Sequence, residues 1–189
     1  METATKDRSI THAHTGEVIT FLENAKETNG EYLLIEVNLP PGGEGPPLHY
    51  HLEFEEEFEG VKGQLFVIRG KEEHVINPGE KVTVPKETHH LFKNASDTEP
   101  VTFRVKLTPP HKFEESMRIA YGLAADGKIS KKGKFDNMLH AVVILNMQDT
   151  RLVKMPFFVR FLFNRMAKKA QKQGIEELLI KEYIQDGTE

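Results

Sequence analysis

The stretch Gly43-Glu44-Gly45-Pro46-Pro47-Leu48-His49-Tyr50-His51-Leu52-Glu53-Phe54-Glu55-Glu56, followed after six residues by Gly63, decides how this chain is read. Along a strand, side chains alternate between faces, so His49 and His51 point one way while Leu48, Tyr50 and Leu52 point the other. Two imidazoles on one face can share a cation. A second stretch, Gly79-Glu80-Lys81-Val82-Thr83-Val84-Pro85-Lys86-Glu87-Thr88-His89-His90-Leu91-Phe92-Lys93-Asn94, supplies another histidine at a strand start, just after a proline-bounded turn. With Glu56 the two stretches offer three nitrogens and one carboxylate.

Each residue also has a plainer reading. His49 and His51 can be ordinary half-exposed strand histidines, but their proline-glycine approach and the glutamate downstream favour ligation. Glu56 lies within the acidic run Glu53, Glu55, Glu56, Glu57 and Glu59, and charge runs are usually solvated faces. The two-residue period places Glu56 with Phe54 and Phe58, and Glu55, Glu57 and Glu59 on the other side, so Glu56 is the inward carboxylate. For the last position, alternation sets His90 with Phe92 and Asn94 against His89 with Leu91 and Lys93, and both remain open.

The two stretches resemble the paired motifs of the cupin superfamily. The first matches G-x5-H-x-H-x4-E-x6-G at every fixed position, through Gly43, His49, His51, Glu56 and Gly63. The second matches G-x5-P-x-G-x2-H-x3-N through Gly79, Pro85, His90 and Asn94. That spacing selects His90 over His89. One position departs, because Glu87 stands where the family has glycine. If the turn needs φ > 0, a residue with a side chain costs about 1 kcal/mol or more there, so the departure bears on the turn rather than on the ligands. The resemblance covers roughly residues 30–108, more weakly Thr15 to Asn29 and the helical tail. It implies a mainly β protein, a jelly-roll-like cupin barrel followed by C-terminal α-helices, with a metal held by His49, His51, Glu56 and His90. It also implies a homodimer, and a family that includes dioxygenases, sugar and keto-acid isomerases, decarboxylases and non-enzymatic binders, so fold alone does not settle activity.

Composition narrows the classes. At 189 residues one domain can bury about 70 per cent of its unfolded surface, without disulfides. The absence of cysteine excludes thiol catalysis and thiolate metal sites. No apolar run of signal-peptide or membrane-spanning length occurs, so the chain is expected to be soluble and cytoplasmic. A net charge of −4 offers no broad basic field, and nucleic acid is not expected as a partner.

Read in order, residues 1–14 are a polar, flexible N-terminal arm whose His12-Ala13-His14 pair lacks a second cluster and is taken as exposed. Residues 15–110 form the barrel. Strands are predicted over 17–22, 31–39, 57–61, 64–69, 73–77, 81–84, 90–93 and 101–107, and regular turns between many short strands indicate a sandwich or barrel. The prolines at 40, 41, 46 and 47 deliver the chain to the strand of His49. Phe66, Ile68, Phe92 and Phe103 are expected in the barrel interior. Residues 111–189 are a helical extension: Phe113 to Ala124, then Phe135, Met138, Leu139, Val142 and Val143, then a run from Pro156 with Phe157, Phe158, Phe161, Leu162 and Met166 on one face, and a short helix over 175–184. From Arg151 to Lys172 there are seven basic residues and no acidic one. A basic amphipathic helix can lie on a membrane, but the phenylalanines are expected to cover the barrel or a dimer partner instead.

Three neutral imidazoles and one carboxylate around a divalent ion suit Fe, Mn, Ni, Zn or Cu rather than calcium. A small-molecule ligand is expected in the barrel, and a dioxygenase-like oxidoreductase is the leading activity. A non-enzymatic binding cupin and an isomerase are the alternatives. No organic cofactor is indicated. No catalytic residue beyond the metal set is legible, since Glu53 and Glu57 read as surface carboxylates.

Overall fold

Short strands, several of them alternating buried and more exposed side chains, build two antiparallel sheets in the computed structural model, which describes residues 7–185. The strands are β1 (Ser9–Thr11), β2 (Val18–Glu23), β3 (Leu33–Leu39), β4 (His49–Tyr50), β5 (Glu55–Lys62), β6 (Leu65–Arg69), β7 (Glu72–Ile76), β8 (Lys81–Val84), β9 (His90–Asn94), β10 (Val101–Thr108) and β11 (Arg151–Leu152). One sheet runs β1-β2-β3-β10-β5-β8 and the other β11-β4-β9-β6-β7. In β10, Val101, Phe103, Val105 and Leu107 are buried and the residues between them are not, which is the period a half-buried strand requires. These side chains join Phe54, Phe58, Leu65 and Val67 in a core between the sheets.

Four helices follow: α1 (Phe113–Ala125), α2 (Met138–Met147), α3 (Phe157–Lys172) and α4 (Ile175–Ile180), with a π-helical turn at Lys181–Gln185. α1 turns Tyr121 toward the barrel core and Ile119, Leu123 and Ala124 into a second core among the helices. α2 starts where the Asn137 side chain accepts from the Leu139 N–H at 2.9 Å. Its sequence is apolar almost all round, and such a helix stays in water only if covered. Four of its residues, Ala141 to Ile144, are accordingly buried in succession.

The motif glycine and asparagine positions have structural causes. A Cβ on Gly43 would lie 2.7 Å from Leu39 Cγ and 2.9 Å from the Pro40 carbonyl oxygen, so no larger residue fits there without movement. Asn94 is buried and ties three loops together: its Nδ2 donates to the carbonyls of Pro40 and Glu99 at 2.9 and 2.8 Å, and its Oδ1 accepts from the Ser96 N–H at 2.9 Å.

Several expectations are corrected. The arm is ordered from Ser9, because β1 pairs with β2; residues 1–6 lie outside the described residues. His12 and His14 are half-buried, and His14 Nε2 donates to the Ile129 carbonyl at 2.7 Å. In β6 the inward residues are Leu65 and Val67, while Phe66 and Ile68 turn outward. The run Leu-Phe-Val-Ile is apolar on both faces, so only pairing with β9 fixes its phase: Phe66 lies opposite Lys93, whose Nζ sits 5.2 Å from the ring centroid, and Val67 lies opposite Phe92. Phe92 is half-buried against the core, and Phe103 is fully buried. Phe135 precedes α2, in a bridge with Ile129. In α3, Met166 shares a half-buried side with Phe163, whereas Phe157, Phe158 and Phe161 are exposed and do not cover the barrel.

Glu87 has φ +62°, the left-handed conformation for which the family uses glycine, and its N–H donates to the His51 carbonyl at 2.7 Å. A glycine keeps that N–H and removes the steric cost, offset in part by greater freedom in the unfolded chain. Glu87→Gly is therefore expected to stabilise the protein by up to about 1 kcal/mol, read as a higher urea midpoint at unchanged slope. A lowered midpoint would show that the glutamate side chain contributes more than the turn costs.

Candidate metal centre

Both sheets contribute to the site. β4 supplies His49, the residue after its end supplies His51, β9 supplies His90, and β5 in the opposite sheet supplies Glu56. His49 and His90 are direct partners in the β4–β9 ladder, so both rings leave the same face. Phe54 and Phe58 anchor β5 in the core on either side of Glu56 and turn the carboxylate inward with them. His89 points outward and is exposed, with its ring near that of Tyr50. The alternation read from the sequence thus places Glu56 and His90 inside, and the structure brings all four side chains together.

All four are buried: His49 is 3% exposed, His51 4%, Glu56 5% and His90 1%. One nitrogen or oxygen from each lies within 4.8 Å of the others. Two ligands about 2.1 Å from a shared ion stand at most about 4.2 Å apart, so closure requires under an ångström of side-chain movement.

The orientation of each imidazole is fixed from behind. His49 Nδ1 donates to the Pro47 carbonyl at 2.9 Å, His90 Nδ1 to the Thr88 carbonyl at 2.9 Å, and His51 Nδ1 to the Asp149 carbonyl at 3.2 Å. A carbonyl only accepts, so each Nδ1 carries the proton and each neutral ring presents the Nε2 lone pair. Outer partners of this kind orient metal-ligating histidines. The front atoms lack partners: His51 Nε2, His90 Nε2 and Glu56 Oε2 are buried without a well-aligned hydrogen bond. The last two are 2.8 Å apart, and His51 Nε2 is 3.7 Å from the same oxygen. Buried polar atoms are nearly always satisfied, and a cation at their focus satisfies all three. The donor set therefore fits a divalent metal ion.

Electrostatics prepares the same state. Burial, with some help from the neighbouring rings, pushes His49 down to about 3 and lowers His51, so both are neutral at physiological pH. Burial favours a protonated Glu56, but the 2.8 Å contact with His90 and its charge, with those of His51 and His49, outweigh it and hold the carboxylate down to about 2. For His90 burial also opposes charge, yet Glu56 prevails and raises it. Without an ion, His90 and Glu56 form the pair that holds a proton where metal would sit.

Asp149 is the residue that sequence reasoning missed. It sits in the short connection from α2 to β11, buried, at φ +47°. Its carbonyl orients His51, and its Oδ2 accepts from the backbone N–H groups of Leu52 and Glu53 at 2.6 and 2.8 Å. Arg151 reaches its Oδ1 from 3.3 Å. No motif spacing links residue 149 to residue 51, so only the folded chain reveals the contact. Phe54 stacks on His51, with centroids 4.1 Å apart at 24°, and Phe113 meets Phe54 edge-on, closing one side of the site to water. Glu53 and Glu57 are surface residues; Glu53 approaches His111 at 3.8 Å and Glu57 pairs with Lys81 at 2.8 Å. A cleft of about 230 Å³ lies on the reverse of β4, lined by Tyr50, Leu52, Leu145, Arg151, Arg160 and Phe163, and none of the four ligands reaches it.

Residues 35–107 match the family model described as a cupin domain. Among curated proteins, the chain is similar to "Probable oxidoreductase virH" of Hypocrea virens, 29% identical over 134 residues that cover 65% of this chain and 61% of that protein. It is likewise 29% identical over 113 residues to "Oxidoreductase iacF" of Pestalotiopsis fici, covering 56% of this chain and 55% of that one. The chain thus spans less than two thirds of the length of the curated relatives it matches. Among solved structures, a sugar phosphate isomerase of the cupin superfamily from Silicibacter pomeroyi is 27% identical, over 52% of this chain and 63% of that one, at a TM-score of 0.45.

Three outcomes follow from the site. His51→Ala is expected to lower bound metal at least tenfold by elemental analysis, and unchanged stoichiometry would move the site elsewhere. Asp149→Ala, which keeps the backbone carbonyl but leaves the Leu52 and Glu53 N–H groups without their acceptor, is expected to weaken metal binding by roughly 10-fold in a chelator competition, with Asp149→Asn, which retains one side-chain acceptor, recovering part of it. A loss of thermal stability with unaltered affinity would limit Asp149 to a structural role. Because His49 and His51 are held neutral and Glu56 ionised, the proton that competes with metal is the one that Glu56 helps His90 to hold. Affinity should rise about tenfold per pH unit below the raised His90 value and level off above it, and a pH-independent affinity would contradict that assignment.

Proposed function

Because the chain belongs to the cupin superfamily through its domain at residues 35–107, we propose that it is a metal-dependent, dioxygenase-like oxidoreductase acting on a small organic molecule. The observation that carries this reading is the set of three imidazoles, each held through Nδ1 by a backbone carbonyl, facing Glu56 with unpartnered buried atoms. His49, His51, Glu56 and His90 would hold one divalent ion, with a net charge near +1 on the assembled site. Such an ion with open positions supplies a Lewis acid and, if redox-active, the electron chemistry that dioxygen requires. The protein contributes orientation through the three carbonyls, and a dry wall through Phe54 and Phe113.

What else is buried favours oxidation over isomerisation. Beyond the four ligands, Asn94 and Asp149 are occupied by backbone hydrogen bonds, and Glu53 and Glu57 are outside. An isomerase must carry a proton between two carbons with a positioned base, and none of Asn94, Asp149, Glu53 and Glu57 is placed for that role. An enol, phenol or organic acid that binds already ionised needs no such base. The two curated relatives named as oxidoreductases lean the same way. The second reading is a binding cupin without turnover, favoured by that same lack of a spare polar group.

Elemental analysis of protein purified without added metal, followed by oxygen-electrode screening, separates the two. Iron, copper, nickel or manganese at about one ion per chain, with oxygen uptake on an enol, phenol or organic acid that His51→Ala abolishes, is the expected result. Zinc at full occupancy, with no uptake across those substrate classes even after exchange for iron, would sink the oxidoreductase and leave the binder.

A further inference from the structure

The exposed face of α3 is divided along its length. At 100° per residue, Phe157, Phe158, Phe161 and Leu162 and then Arg165, Lys168, Lys169 and Lys172 fall within one arc of about 140°. All eight are exposed, while Val159, Phe163, Met166 and Ala170 on the other side are half-buried or buried. The apolar end is unusually bare for a soluble surface: Phe157 is 84% exposed, Phe158 63%, Phe161 64% and Leu162 57%. At about 200 Å² for an aromatic side chain this is on the order of 500 Å² of contiguous apolar surface, the size at which a patch marks an interaction site. The helix contains no acidic residue, and among the described residues none of its four exposed C-terminal cations is within 4 Å of a carboxylate.

We propose that this face docks α3 onto an anionic lipid bilayer, with the Phe157–Leu162 end entering the interface and Arg165, Lys168, Lys169 and Lys172 meeting the headgroups. Phenylalanine and leucine supply the apolar partition and a local cationic cluster supplies the attraction, which is the pairing that peripheral helices use. The cluster acts despite the chain's formal charge of −4, because charges beyond about one Debye length are screened. A second copy of the chain fits the face less well. Parallel pairing along the whole face sets cations against cations, and pairing through the apolar half alone buries about 500 Å² per copy, below the roughly 800 Å² of a standard interface.

The test is sedimentation of the full chain with vesicles of phosphatidylcholine alone or with about 30% phosphatidylserine, at about 0.05 and 0.5 M salt, with light scattering of the lipid-free protein. The proposal expects binding only to the anionic vesicles, lost at high salt, and weakened about fivefold for each cation removed in Lys168→Gln and Lys168→Gln/Lys172→Gln. Phe157→Ser/Phe161→Ser should weaken it by tenfold or more. An unchanged thermal midpoint in these surface variants shows that they fold. Absence of binding to anionic vesicles, equal binding to neutral ones, or a dimer in solution that Phe157→Ser/Phe161→Ser converts to monomer would each overturn it.

Discussion

The constraint on which the molecule depends is the burial of three imidazoles and a carboxylate at one point between two sheets. His51 Nε2 has no partner there, and His90 Nε2 and Glu56 Oε2 have only each other at 2.8 Å; a buried polar atom left unsatisfied costs about 1–3 kcal/mol. The barrel sustains them because large apolar side chains of both sheets, Phe58, Phe103 and Leu107 of one and Leu65 and Val67 of the other, pack without exposure in a single core. Glu56 comes from one sheet and the histidines from the other, so the packing distance between sheets is also the ligand distance. A core substitution that separates the sheets by an ångström would disperse the donors without touching any of them.

The helical extension takes part in the same construction. β11 belongs to it in sequence but lies in the sheet of β4, with Arg151 opposite Tyr50 and Leu152 opposite His49. Asp149 then binds the chain just beyond β4 through one carbonyl and one carboxylate oxygen. A two-residue strand such as β4 has little pairing of its own, having His90 as its single partner in β9. The extension supplies the second edge and fixes where His51 leaves the strand, so the barrel and its helices share the site rather than adjoin it.

Legibility in the sequence followed the strength of periodicity. β5 was readable because Glu55, Glu57 and Glu59 alternate with Glu56 and Phe58, leaving one phase for the alternation. The phase of β6 was not, since both its faces are apolar and only the partner strand chooses between them. β1 and β11 are two or three residues long and have no period to read. The face of α3 was read as one apolar stripe including Met166, because a run of three phenylalanines, a leucine and a methionine invites a single cluster; the helical angle separates them. Asp149 could not be found at all, since its role depends on a contact 98 residues away in the chain.

Net charge concealed the other main feature. Seven of the 25 basic residues and none of the 29 acidic ones lie between Arg151 and Lys172, so a chain that is acidic as a whole has a strongly cationic segment. That segment begins in β11, the hydrogen-bonded neighbour of the strand that carries His49, and continues after a four-residue connection into α3. Between α3 and β4 lies the 230 Å³ cleft that Arg151, Arg160, Phe163 and Tyr50 line. Tyr50 and His49 are successive residues of one strand, so their side chains face opposite sides of it. The face of β4 turned toward α3 is therefore the reverse of the one that carries His49, and the two are joined through the backbone that Asp149 holds just beyond the strand.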